Sequence, residues 1–338
     1  MSEVPRNLPL AERLARLKII ELDEEIFALS YTQLRKLFKK GSGLDTNRLI
    51  KSLIWQDYTL LQQGQLKPFR GNIRSYWYRR VKPVLFRGRA KEAAKKYDAM
   101  ISQFSLMVQH YYLFHYRDFG FLDENQQHRR LGTANPHIFV VAEKVGHFPL
   151  LSDIWDNFGV TVLSLGGMPS VLSTEYFLRE LDHTGFGLDA EVITYFIVDF
   201  DPAGYSIAEN FFKQMRRLGY RGPLSRVDLV HPERMSAEQL ELNKFRIAVK
   251  ASTKSRVGKW IAEQGGGLHP YGIGKKSGPV YGIQADAMAW DELIGVFAEL
   301  VTESLDVPSD RVVEQRLTGK LISALQQVFL RRHFGDYR

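Results

Sequence analysis

Cysteine is absent from this chain of 338 residues. Its absence excludes disulfides, thiolate metal sites and cysteine nucleophiles, and fits a reducing interior. No apolar run is long enough to span a bilayer. The opening stretch, MSEVPRNLPLAERLARL, lacks the apolar core of a signal peptide. The expectation is a cytoplasmic protein with no membrane partner. Several chemistries are also missing. GIGKKSG at 272–278 lacks the first glycine and the Lys-Ser/Thr order of a phosphate loop. The histidines at 110, 115, 128, 137 and 147 have no zinc spacing and read mostly as surface or core fillers. There is no Gly-x-Ser-x-Gly nucleophile motif, no internal repeat and no low-complexity tract.

Acidic residues are scarce in one region. Residues 67–96 hold 11 basic side chains and one acid, Glu92. Phe69, Tyr76, Trp77, Tyr78 and Phe86 are interleaved with them. Residues 1–136 carry 24 Lys and Arg against 13 Asp and Glu, whereas the remainder carries 22 against 25. A basic block mixed with aromatics suits a polyanion, and it is equally the pattern of a solvated basic face. Arg70, Arg79, Arg80, Lys82, Arg87 and Arg89 are its candidate DNA contacts.

Local patterning divides the chain. Residues 10–63 read as mostly helical, broken by GSGLD at 41–45. Residues 71–86 read as a short helix stopped at Pro83. Ile73, Trp77 and Val81 make a buried stripe, with Arg74, Tyr78 and Lys82 beside them on a polar face. Residues 90–116 read as a long amphipathic helix. This first part predicts a helical DNA-binding module of helix-turn-helix or winged-helix type, although the strands of a wing are not evident.

From about residue 135 the period changes. HIFVVAEK, VTVLSLGG, VITYFIVDFD and LSRVDLVHP read as strands, separated by the helical segments FPLLSDIWDNFG, PSVLSTEYFLREL and AGYSIAENFFKQMRRLG. Such alternation predicts a parallel sheet with helices on both faces, and ligands at the carboxyl ends of its strands. Residues 236–338 read as mainly helical, interrupted by GGGLHPYGIGKKSGPVYG.

Three acids are expected at that edge. Glu143 ends the first strand, and Asp199 and Asp201 end the third on the same side, since strand side chains alternate. Gathered carboxylates repel, so a cation is expected between them; oxygen-only ligands favour Mg²⁺. Lys144 is placed to moderate the acids or to touch phosphate, or is simply a surface lysine. Gly166-Gly167 permits close backbone approach, or is simply a tight turn. Pro202 and Gly204 shape the start of the next helix. Tyr78 is a candidate nucleophile, because a phenol attacks phosphorus once a neighbouring cation or base lowers its proton affinity. Arg74, Arg79 and Arg80 lie near it in sequence. By spacing alone, packing or an interface is the commoner role for such a tyrosine.

In this order the motifs resemble the A subunit of DNA topoisomerase VI and its meiotic double-strand-break relatives. Arg74-Ser75-Tyr76-Trp77-Tyr78 matches the family's Arg-x-x-aromatic-Tyr motif. Ala142-Glu143-Lys144 matches its first acidic strand end, and Asp199-Phe200-Asp201-Pro202-Ala203-Gly204 matches its Asp-x-Asp-Pro-x-Gly motif in full. Leu165-Gly166-Gly167-Met168-Pro169 aligns with its Gly-Lys-Gly-aromatic-Pro segment, with Gly166 in place of the lysine. Ser75 replaces a usual acid. The chain looks most like the short, stand-alone bacterial homologues called Mini-A, and the similarity covers about residues 65–235.

The resemblance implies an α/β plus α protein. A helical extension (1–65) would precede a winged-helix (CAP-like) domain (66–134) and a Toprim domain with a helical elaboration (135–338). It implies a homodimer on double-stranded DNA at the nucleoid. Tyr78 would be the nucleophile, forming a 5′-phosphotyrosyl link, with Arg74 at the phosphate. Glu143, Asp199 and Asp201 would hold Mg²⁺, with Glu143 also catalytic. Any ATPase subunit would be a separate chain, and none is evident from this one. Two other readings stay open. One is a Toprim nuclease like that of Wadjet plasmid-defence systems, without a covalent intermediate. The other is a non-enzymatic DNA-binding protein.

Overall fold

A computed structural model describes residues 8–41, 43–89, 93, 94, 96–263 and 279–334. Glu92, the lone acid of the basic block, and the phosphate-loop-like segment 272–278 lie outside the described residues. The chain is mixed α/β and forms two compact units: residues 1–124 with 171–176, and residues 125–170 with 177–338. Among the described residues no helix is long and apolar enough to cross a membrane.

The first unit is helical. It comprises α1 (Leu10–Leu17), α2 (Glu24–Ala28), α3 (Tyr31–Leu37), α4 (Thr46–Gln62), α5 (Ile73–Tyr76), a π-helical turn (Trp77–Val81), α6 (Lys82–Leu85) and α7 (Tyr97–Gln109). The GSGLD break carries a small antiparallel pair, β1 (Lys39–Lys40) with β2 (Gly43–Leu44). Among the described residues, the other strand-like contact in this unit is a single bridge between Gly71 and Phe121.

Helix α4 begins because the Asp45 carboxylate accepts the Arg48 amide at 3.2 Å, a side-chain N-cap. It buries Leu49, Ile50, Leu53, Ile54 and Asp57 along one face. Phe104 of α7 sits among the rings of Tyr76, Phe114, Tyr116, Phe119 and Phe121, with centroids 4.7–6.3 Å apart. These rings form the centre of the unit, through edge-to-face and stacked contacts that add to the area they bury. Helix α1 is tied to the residues after α7. The Arg13 guanidinium donates to the carbonyls of Tyr111 and Tyr112 at 2.9 and 2.8 Å.

Two expectations are corrected here. The long helix expected over 90–116 ends at Gln109, because Tyr112 turns into the left-handed region (φ 49°) and folds Phe114 and Tyr116 back onto Phe104. Nor does Pro83 stop its helix, since the helical path continues to Leu85. The Lys82 amide reaches back five residues to the Trp77 carbonyl, so the ladder is already reset where proline brings no donor.

The second unit is built on a five-stranded sheet ordered β3-β5-β4-β6-β7. Strands β4 (Asn135–Ala142), β5 (Val160–Ser164), β6 (Val192–Ile197) and β7 (Leu224–Asp228) are parallel. The edge strand β3 (Arg129–Arg130), too short to show a period in the sequence, runs antiparallel to β5. It belongs to the second unit, which includes residues from Asn125 on.

Helices cover both faces of the sheet: α8 (Phe148–Phe158), α9 (Val171–His183), whose first six residues group with the first unit, and α10 (Pro202–Arg217). After β7 come α11 (Ala237–Asn243), β8 (Lys244–Ile247), α12 (Lys254–Glu263), β9 (Val280–Ile283), α13 (Trp290–Val301) and α14 (Ser309–Phe334). Alternate residues of β4 feed opposite cores. Ile138, Val140 and Ala142 pack with Leu150, Ile154, Trp260 and Phe297, whereas Phe139 and Val141 pack with Phe177, Leu181, Phe211 and Met215. A parallel sheet covered on both faces needs such continuously apolar strands.

Candidate functional site

Strand order sets the place of the acids. The chain leaves β4 for β5 on one side, then crosses over to β6 on the other. The crevice between the carboxyl ends of β4 and β6 is therefore the topological switch point, where ligands of open α/β sheets bind. Ala142 and Ile197 are register partners, so the two strands end level. Glu143 follows directly on β4. Its amide donates to the Ile197 carbonyl at 3.0 Å, and its carbonyl accepts from the Gly167 amide at 2.8 Å. Gly166 and Gly167, with φ of 67° and 99°, make the turn that this contact requires.

Asp201 is the N-cap of α10. Its Oδ1 accepts from the Ala203 and Gly204 amides, each at 2.7 Å, and Pro202 fills the first helical position as expected. The Asp201 amide in turn donates to the Asp199 carbonyl at 2.9 Å. Glycine is needed at 204, since a Cβ there would lie 2.1 Å from that carbonyl oxygen. The Asp-x-Asp-Pro-x-Gly stretch is thus one folded object, though it starts two residues beyond the end of β6 at Ile197 and not on the strand itself: a bridged loop, a cap and a helix start.

Electrostatics mark Glu143. Burial raises its carboxyl above the usual range, and the charges of Asp199 and Asp201 raise it further. Its Oε2 is buried with no hydrogen-bond partner among the described residues. Burial likewise raises Asp201, against the pull of its two amides. A hard cation would relieve both the repulsion and the orphaned oxygen, so these residues fit Mg²⁺ in ligand type. Among the described residues, however, no three acidic or histidine side chains are gathered in ready ligand geometry. The cation present is Lys144, whose Nζ lies 3.3 Å from Asp199 Oδ1 and 2.6 Å from Asp286 Oδ2.

Asp286 was not anticipated. It also meets His147, whose Nε2 lies 2.8 Å from Asp286 Oδ1. His147 is therefore no mere filler. The Ala285 amide donates to Asp199 Oδ1 at 2.8 Å. Burial opposes the charged form of Lys144, but Asp286 and Asp199 outweigh it and raise its pKa. Lys144 and then His147 hold Asp286 below the carboxylate range. No local motif announces Asp286, which reaches the site from 142 residues beyond Lys144.

In the first unit, Asn72 caps α5 by accepting the Ser75 amide at 2.8 Å. The π turn then sets three adjacent aromatics in different surroundings. Tyr76 and Trp77 are buried, whereas Tyr78 is 51% exposed. Arg74 and Lys82 lie over the Tyr78 ring, 6.0 and 5.3 Å from its centroid. The expected polar stripe is therefore present. On the neighbouring stripe Trp77 and Val81 are buried and Ile73 is half-buried.

Arg70, Arg74, Arg79 and Arg87 are exposed and Lys82 is half-buried. Two candidate DNA contacts are committed elsewhere. Arg80 grips the buried Asp57 through Nε and Nη2, at 2.6–3.0 Å. Arg89 bonds the Leu85 carbonyl and lies over the rings of Tyr31 and Phe86. Spacing could not separate these from the exposed Arg70, Arg79 and Arg87, because Asp57 and Tyr31 lie on other elements.

No protein-family model matches the sequence, and no curated protein matches it.

Proposed function

We propose that the protein is a Mg²⁺-dependent DNA strand transesterase of the topoisomerase VI A-subunit type, acting as a homodimer on double-stranded DNA. In this reading the helical unit is the winged-helix-type DNA-binding part and the α/β unit is a Toprim domain. The observation that carries it is Tyr78: one exposed phenol between two cations, on a π turn of a basic helix, beside aromatics that are buried. A packing tyrosine would be covered, as Tyr76 is. π turns recur at functional sites.

The Tyr78 oxygen would attack a backbone phosphorus and form a bond to the 5′ phosphate as the bond to the 3′ oxygen breaks. The phenolic proton is given up and the leaving 3′ oxygen gains one, so the exchange is balanced and reversible. Arg74 would lie at the phosphate, where its charge favours the crowded transition state. Glu143, Asp199 and Asp201 would hold Mg²⁺, which when bound neutralises phosphate charge and steadies the leaving oxygen. By the same family reading, the tyrosine of one subunit serves the acids of the other, and two cuts give a double-strand break. Arg70, Arg79 and Arg87 would meet backbone phosphates, making binding steeply salt-dependent.

Supercoiled plasmid mixed with protein and Mg²⁺, then run on a denaturing gel, tests the chemistry. Protein attached to DNA ends is the expected result, and Tyr78→Phe should abolish the attachment. Adducts that survive in that variant would remove the assignment. Free ends from the wild type would mean hydrolysis, the Wadjet-like alternative. Asp199→Ala should lower cleavage by about a hundredfold or more while changing DNA affinity only a few-fold. Undiminished cutting would count against the metal site.

A further inference from the structure

A strand from far along the chain lies against the paired aspartates. Ile283 of β9 exchanges two backbone hydrogen bonds with Phe200, the residue between Asp199 and Asp201, at 2.8 and 3.2 Å. Gly282 permits this approach, since a Cβ there would lie 2.8 Å from the Phe200 oxygen. The residues just beyond the strand then act on the site. Ala285 donates its amide to Asp199, and Asp286 takes hold of Lys144 and His147. The side chains form a line: His147, Asp286, Lys144, Asp199. Its outer end is fixed, because the His147 side chain is 5% exposed. Its middle is open to solvent, with the Asp286 side chain 59% and the Lys144 side chain 34% exposed. Lys144 thus has two carboxylates within reach, one belonging to the acid cluster and one outside it.

We propose that Lys144 is the resident counter-cation of the acid cluster, and that Asp286 is the positioning residue that takes it over when a divalent ion occupies Asp199. The inference rests on the metal-site reading above and adds how that site is regulated. Two cations compete for one carboxylate, so the ammonium lowers divalent affinity for as long as it stays on Asp199. Asp286 gives it somewhere else to go, at 2.6 Å and already aligned by His147.

The consequence is a pair of opposite effects. Lys144→Met removes the competitor and should tighten divalent binding. Asp286→Asn leaves Lys144 with Asp199 alone and should weaken it. A charge at this range moves a neighbouring ionic equilibrium by one to three powers of ten, so about tenfold is expected in each direction. In the double variant Asp286 has no lysine to receive, and affinity should follow Lys144→Met.

The test is a Mn²⁺ titration of the full chain without DNA, with free Mn²⁺ read by electron paramagnetic resonance. Opposite shifts, with the double variant matching Lys144→Met, support the proposal. If Lys144→Met leaves affinity unchanged or weaker while Asp199→Ala still abolishes binding, the proposal fails and the metal site stands. If Asp286→Asn weakens binding equally with and without Lys144, Asp286 is itself a ligand, which also overturns it. Wild-type protein that takes up no Mn²⁺ would overturn both this inference and the metal site beneath it.

Discussion

Asp57→Ala should cost the helical unit about 3–5 kcal/mol, seen as an early unfolding transition in urea. The Asp57 side chain is fully buried. It accepts the Tyr76 hydroxyl at 3.0 Å and two guanidinium nitrogens of Arg80 at 2.6–3.0 Å. Burial raises its carboxyl above the usual range, while Arg80 and then Tyr76 pull it back. Removing the carboxylate strands a half-buried cation and a fully buried hydroxyl together. Leaving such groups unpaired costs more than the pair itself contributes. The π turn carries both Arg80 and Tyr78, so on the proposed reading the same change should also lower adduct formation in protein that still folds. Asp57→Asn, which keeps the shape and one acceptor, should fall between the two. A loss under about 1 kcal/mol for the alanine variant would show that the network is not what holds this turn.

Gly204→Ala should be the most damaging single methyl in the α/β unit's site. The added Cβ would stand 2.1 Å from the Asp199 carbonyl oxygen and 3.1 Å from the Asp199 nitrogen. Neither atom is a side-chain end that can swing away, and the carbonyl is held by the Asp201 amide at 2.9 Å. Relief requires moving the strand end or the helix start, at about 1–3 kcal/mol. Either movement shifts Asp199 relative to Asp201, so on the proposed reading Mn²⁺ uptake and DNA cleavage should both disappear. Gly295→Ala is the matched control. It lies within α13 with nothing within 4 Å of its would-be Cβ among the described residues, and should be neutral or mildly stabilising. Equal damage from both variants would show that helix propensity is not the issue and that the close approach at Gly204 is not special.

Much of the fold was legible because periodicity is local. The continuous apolar runs in HIFVVAEK and VITYFIVDFD marked strands covered on both faces, and the helices between them required a parallel sheet. Counting along those strands put Glu143, Asp199 and Asp201 at one edge. Counting along a helix put Tyr78 between Arg74 and Lys82. These relations depend on residues within a turn or a strand of one another, and the backbone geometry of regular elements imposes them.

Other features had no local signal. The edge strand at Arg129–Arg130 and the pairing of Lys244–Ile247 with Val280–Ile283 are too short, and too distant from their partners, for a period to show. Nothing in the spacing of the basic block separates Arg79, which is exposed, from Arg80, which is committed to Asp57. Nothing near Lys144 points to Asp286. The sequence alone determined the two kinds of architecture, the acids at one sheet edge and the tyrosine's place on a polar face. Only tertiary packing decided which charges are spent on one another. A charge finds its partner by distance in space, and chain neighbours say little about groups more than a hundred residues away.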